Sequence, residues 1–210
     1  MTLWLARHAQ PLVEPGVCYG AWDVAADAQA TLVAAKKLAA ALPLGIAVVS
    51  SPLQRCELLT LTLSALRPDL TPVFDPRLRE MDFGSWEGQR WDAIGQPALQ
   101  AWTDDFARHR PGGGESVQMF MQRVAAAWDA VGHQPTLWVT HAGVVRACSL
   151  LAAGIRAIDR ADQWPQTAVG YGEWLHVNNF QGSGCSAPKP MKVRVAPGVP
   201  AQTPPGRPAG

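Results

Sequence analysis

Two segments of this chain are built alike: Leu3-Trp4-Leu5-Ala6-Arg7-His8-Ala9 and Leu137-Trp138-Val139-Thr140-His141-Ala142-Gly143, each an apolar run that ends in His-Ala. A neutral imidazole is a competent nucleophile near pH 7, since its reference pKa of about 6.5 leaves the ring mostly unprotonated there. Arg7 stands beside the first histidine, and Arg55 follows another apolar run through Ser50-Ser51-Pro52-Leu53-Gln54. Guanidinium groups offer rigid forks of N–H donors that match phosphate oxygens in pairs. A further ingredient is Arg77-Leu78-Arg79-Glu80-Met81-Asp82-Phe83-Gly84-Ser85-Trp86-Glu87-Gly88, which sets carboxylates among aromatic and apolar residues. Such a setting can raise a carboxyl pKa and make the group a proton donor near neutrality. Spacing alone does not choose between Glu80, Asp82 and Glu87. The plain alternative for each residue is structural: a packed histidine, a surface arginine, an exposed acidic loop.

These residues can act together only if elements far apart in sequence bring them to one place. Short apolar runs at residues 3–6, 47–49, 73–74 and 137–139, each flanked by turn residues, predict strands; stretches at 25–42, 53–66 and 116–131 have the apolar spacing of helices packed on a sheet. Ser51-Pro52 predicts an N-cap with proline in the first turn, and Pro111-Gly112-Gly113-Gly114 predicts a second helix start at Glu115-Ser116. Alternation of strand and helix implies an α/β fold, a three-layer α/β/α sandwich with a mostly parallel central sheet. Parallel strands place both histidines at carboxyl ends, where open sheets bind ligands, and Arg55 in the first turn of a helix leaving the same edge.

The whole chain narrows the functional classes. Its 210 residues suit one domain, and 18 Lys plus Arg against 17 Asp plus Glu give no basic field for nucleic acid or an anionic membrane. The start MTLWLARHAQ meets Arg and His too soon for a secretory signal, and charges or prolines interrupt every apolar run before bilayer length. The expectation is a soluble, cytoplasmic protein. Cys18, Cys56, Cys148 and Cys185 are irregularly spaced and read as reduced, mostly buried thiols, with no metal or redox pair. From residue 178 to 210 the composition turns to Pro, Gly, Ser and Lys, which predicts a flexible tail after a domain of residues 1–177.

The motifs, taken in order, resemble the histidine phosphatase superfamily, the phosphoglycerate mutase-like proteins. Arg7-His8-Ala9 is similar to the Arg-His-Gly signature; Ser51-Pro52-Leu53-Gln54-Arg55, Leu78-Arg79-Glu80-Met81-Asp82-Phe83-Gly84 with Trp86-Glu87-Gly88, Gly113-Gly114-Glu115-Ser116 and Val139-Thr140-His141-Ala142-Gly143 resemble the remaining ones across residues 2–175. The resemblance implies a phosphohistidine on His8. It implies that Arg7, Arg55 and His141 bind the phosphoryl oxygens, that Glu80 is the proton donor and then the base, and that neither metal nor cofactor takes part. Two positions depart from the pattern: Ala9 replaces the usual Gly, and Glu14 lies near where a phosphate-contacting Asn is common, so Glu14 is expected to turn away. Phe83-Gly84-Ser85-Trp86-Glu87-Gly88-Gln89-Arg90-Trp91 resembles the phosphatase branch more than the mutases. Together with Gly16-Val17-Cys18-Tyr19-Gly20 it is similar to the alpha-ribazole phosphatases of cobalamin biosynthesis. That implies a small phosphomonoester substrate whose base stacks on Tyr19, Trp22, Trp86 or Trp91, Tyr19 and Trp86 being the expected substrate contacts. A homodimer is compatible with this reading. The rival readings are a phosphoglycerate mutase-type phosphotransferase and a catalytically idle binder of phospho-ligands on the same fold.

Overall fold

Along β1 (Thr2–Arg7), Leu3 and Leu5 point to one face of the sheet and Trp4 and Ala6 to the other, the period-two alternation of a strand. The computed structural model describes residues 2–167 and 169–178. In it β1 pairs in parallel with β4 (Thr136–Thr140), β4 with β2 (Ala47–Ser50) and β2 with β3 (Pro72–Phe74); β5 (Trp174–Asn178) runs antiparallel along the other side of β1. The order is β3-β2-β4-β1-β5. Every residue of β4 is buried, as expected of a central strand covered on both faces.

One face is covered by α1 (Ala28–Ala41) and α2 (Gln54–Leu66): Ala34, Ala35 and Leu38 meet Cys56, Leu59 and Leu63 over Ala6, Val48, Leu137 and Val139. The opposite face is covered by α4 (Val117–Asp129) and α5 (Ala142–Ala152), whose Phe120, Met121, Val124, Val144, Val145 and Cys148 pack on Leu3, Leu5 and Trp138. A further helix, α3 (Gln96–Asp104), lies between Trp91 and the α4 start. The result is the expected three-layer sandwich. Each fully buried leucine contributes about 1.5–3 kcal/mol of transfer free energy, so the two aliphatic layers hold the sheet from both sides.

Three local readings need correction. β5 and α3 were not anticipated: β5 is a single antiparallel edge that gains its hydrogen bonds from β1, and α3 buries none of its residues fully. Since Asn178 still pairs with Thr2, the sheet reaches one residue past the expected boundary at 177; the rest of the predicted tail, with Cys185, lies outside the described residues. Third, α2 starts at Gln54, and Ser51 is not its cap. The Gln54 N–H is taken by Asp23 Oδ1 at 2.7 Å, a cap supplied from a distant loop, while the Ser51 hydroxyl is drawn toward His141. The α4 start follows the expectation, with Ser116 Oγ accepting from Met119 N at 3.2 Å. Cys18, Cys56 and Cys148 are free and buried. Among the described residues no helix is long and apolar enough to cross a membrane.

Candidate active site

The register of β1 on β4 sets Arg7 opposite Thr140, so His8 and His141 leave the same sheet edge side by side. Their ring centroids are 5.2 Å apart and both residues are buried. The backbone of His8 is held from both sides: its N–H donates to Thr140 O, and its carbonyl accepts from Gly172 N, each at 3.0 Å. Its ring is oriented by a 2.7 Å contact between Nδ1 and the Ala9 carbonyl. A carbonyl oxygen only accepts, so Nδ1 carries the proton and Nε2 keeps its lone pair. Burial, then the charges of Arg55 and Arg7, hold the His8 pKa well below its ordinary value, and the ring stays neutral.

Arg55 is fully buried on the first turn of α2. Its Nη2 donates to Gly20 O at 2.7 Å, Nη1 to Trp22 O at 2.8 Å and Nε to His141 Nδ1 at 3.2 Å. Three of its five N–H groups anchor it; two remain for a ligand. Arg7 lies 3.7 Å from the centroid of the Tyr171 ring and donates from Nη1 to Val169 O at 3.1 Å, while its buried Nε has no partner among the described residues. His141 stands beside His8 and meets Arg55 and Ser51. Nδ1 accepts from Arg55, so Nε2 carries the proton and faces Ser51 Oγ at 2.8 Å. Both nitrogens are thus engaged, and in this arrangement His141 fixes Arg55 and does not line the cavity. Its pKa is also held well below the ordinary value, by burial first and then by Arg55, His8 and more distant arginines. Cys56 lies 3.5 Å from His141 Nε2, but burial pushes its thiol up to about 12, which leaves it unreactive.

The three candidate carboxylates separate cleanly. Glu87 accepts from the backbone N–H groups of Ala21, Trp22 and Phe83 and so ties two loops together. Asp82 turns back to Gly84 N at 2.7 Å. Only Glu80 lines the cavity that holds His8 and the arginines. Glu80 Oε2 accepts from Gly143 N at 3.0 Å, and Oε1 from Met81 N at 3.1 Å. A Cβ at Gly143 would stand 2.1 Å from Glu80 Oε1, so any larger residue there would displace the carboxylate from this position. Arg123 secures the loop behind Glu80 by donating to Arg77 O and Arg79 O while pairing with Glu115 at 2.7 Å.

The cavity measures about 280 Å³ and continues from His8 between aromatic walls that include Tyr19, Phe83, Trp91, Trp102 and Phe120. Tyr19 closes one side, its hydroxyl 2.7 Å from that of Tyr171. Trp86 does not reach the cavity: it is buried behind the wall, with its ring edge-on to Trp91 and Trp102. Trp91 lines the cavity in its place, with the Trp86 ring edge-on to it. Trp22 is exposed and outside the lining, and Glu14 is exposed and turned away, as expected. Arg146, Trp102 and Tyr171 were missed. Arg146 had a signal, since it falls one turn into the helix that starts at His141; Trp102 and Tyr171 reach the site from long sequence separation and had none. Among the described residues no group of three or more His, Cys, Asp or Glu side chains could hold a metal ion.

The model of the histidine phosphatase superfamily, branch 1, matches residues 3–177. The chain belongs to the histidine phosphatase superfamily. It is 31% identical over 164 residues to a candidate phosphoserine phosphatase of Hydrogenobacter thermophilus, covering 73% of this chain and 79% of that one. It is also 31% identical over 145 residues to a glucosyl-3-phosphoglycerate phosphatase of Mycolicibacterium vanbaalenii, 62% of each chain. Among solved structures it is similar to a phosphoglycerate mutase of Thermus thermophilus, with a TM-score of 0.66 and 31% identity over 85% of this chain and 93% of that one. In this superfamily member the edge of the sheet carries the paired histidines and the arginines, and Glu80 lines the same cavity as His8, Arg7 and Arg55.

Proposed function

We propose that this histidine phosphatase superfamily member is a metal-independent phosphomonoester hydrolase that works through a phosphohistidine on His8. The observation that carries the reading is the fixed tautomer of His8: a bare Nε2 held beside two guanidinium groups, with Glu80 in the same cavity. His8 Nε2 forms a bond to phosphorus as the bond to the ester oxygen breaks, and protonated Glu80 gives its proton to the departing oxygen. The Glu80 carboxylate then takes a proton from water, the water oxygen bonds to phosphorus, the N–P bond breaks and inorganic phosphate leaves. Arg7 and Arg55 hold the oxygens whose charge moves through both steps, with His141 keeping Arg55 in line.

The aromatic walls favour an ester with a flat ring system, and alpha-ribazole 5'-phosphate fits that description. Transfer to a phosphoglycerate acceptor is the less favoured reading, because a small acceptor without a ring would leave the aromatic walls unused, and among the described residues Arg146 is the one cation the lining adds to Arg7 and Arg55. The deciding experiment compares hydrolysis of alpha-ribazole 5'-phosphate, 3-phosphoglycerate and an aryl phosphate with EDTA present. Hydrolysis of the ring-bearing esters, abolished in His8→Ala, is expected; no turnover of any of the three would overturn the reading in favour of a binding module.

A further inference from the structure

The walls of the cavity include two side chains that each hold a donor the protein itself leaves unused. Arg146 is half-buried on α5, and its Nε is shielded from solvent with no hydrogen-bond partner among the described residues; the same holds for Trp102 Nε1. Both side chains line the cavity that contains His8. The Trp102 ring is held in place by stacking on Trp91 and Phe106, with centroids 6.5 and 5.5 Å away. Arg146 forms no ion pair among the described residues. Glu80, the carboxylate whose charge it feels, is bonded instead to the N–H groups of Gly143 and Met81. Buried donors are normally satisfied, and leaving one unmade costs about 1–3 kcal/mol, more for a charged group. Two such side chains on the walls of one ligand-sized cavity, neither donor satisfied by the protein, indicate that the missing acceptor arrives with the ligand.

We propose that Arg146 and Trp102 form a leaving-group subsite that selects phosphomonoesters whose ring-bearing portion carries an oxygen acceptor, received by the Arg146 guanidinium and the Trp102 indole N–H. This rests on the phosphatase reading above and adds to it a second point of recognition. The aromatic walls bind the ring without reading its substituents, whereas a buried donor rejects a ligand that leaves it unpaired. A sugar hydroxyl and a carboxylate can both supply the oxygen, and the carboxylate would also neutralise a guanidinium whose charge is disfavoured by burial.

The test uses 2-naphthyl phosphate and its 6-hydroxymethyl and 6-carboxy derivatives with the full-length protein and with Arg146→Met, Arg146→Lys and Trp102→Phe. The unaltered protein should prefer at least one oxygen-bearing ester over the parent by about tenfold or more in kcat/KM, mainly through KM. That ratio should collapse toward one in Arg146→Met, recover in part in Arg146→Lys and fall severalfold in Trp102→Phe. A general loss of activity cancels in the ratio taken within each variant, and the difference in leaving-group acidity cancels when the ratios are compared between variants. The larger preference identifies the acceptor, carboxylate or hydroxyl. In parallel, calorimetric binding of 6-hydroxy-2-naphthoate, 6-hydroxymethyl-2-naphthol and 2-naphthol to His8→Ala reads the subsite without turnover. Ratios equal within twofold in all variants, with the three naphthols bound alike, would overturn the subsite and leave the phosphatase reading standing. Absence of hydrolysis with selective binding of an oxygen-bearing naphthol would do the reverse.

Discussion

At the scale of single residues, the chemistry turns on which nitrogen of His8 holds the proton. The Ala9 carbonyl decides this, and burial with two neighbouring arginines keeps the ring neutral where a free histidine would be charged. Long-range proton–nitrogen spectra should therefore show His8 as the Nδ1–H tautomer down to pH 6, below the ordinary histidine pKa; a doubly protonated ring at that pH would remove the basis for the nucleophile. The carboxylates make a second residue-scale prediction. Glu80→Gln should lower kcat by about 10²-fold or more, the usual contribution of a general acid, while Asp82→Asn should cost less than about tenfold, because Asp82 serves a turn and not the cavity. The reverse order would move the proton-donor role to Asp82. Alternate positions on an extended segment share a face, so the sequence left these two residues level. What separates them is the Gly143 N–H that receives one and the local turn that occupies the other.

At the scale of elements, two helix starts build the site. α5 begins directly after His141 and offers the Gly143 N–H to Glu80, and α2 brings Arg55 beneath the loop of Gly20 to Trp22. The absent side chain of Gly143 is as functional as any present one. Gly143→Ala should displace the Glu80 carboxylate and lower kcat by about 10²-fold through loss of the acid, with inhibition by vanadate retained, because vanadate engages the arginines; stopped turnover with lost vanadate binding would mean that α5 itself had shifted. The cap of α2 teaches a related lesson. Ser51-Pro52 carries a legible start signal, but a serine can bond only what its surroundings offer, and His141 claims it while Asp23 caps the helix from a loop thirty-one residues away.

At the scale of the whole molecule, the fold buries two histidines as neutral rings, and this couples its stability to pH. The folded-state pKa of each lies below the unfolded value of about 6.5. Below that value the unfolded chain binds protons that the folded chain refuses, so stability falls as pH falls, with a slope from each ring of at most about 1.4 kcal/mol per pH unit. Urea unfolding at pH 7.5 and 5.5 should show this loss, and His8→Asn/His141→Asn should lose distinctly less over the same interval; parallel pH dependences would contradict the buried-neutral assignment. The sequence by itself determined the class of fold and most of the residues that gather at the candidate site. Apolar runs of strand length alternating with helical spacing admit few arrangements, and residues at strand ends and helix starts inherit their position from those elements. Only the tertiary structure decided which carboxylate lines the cavity of His8, that His141 spends both nitrogens on Arg55 and Ser51, that Trp86 stands behind Trp91, and that Arg146, Trp102 and Tyr171 belong to the site at all. Each of these depends on where loops separated by tens of residues come to rest against one another. Local periodicity does not encode such contacts; the packing of the two faces and the competition for each buried donor settle them together.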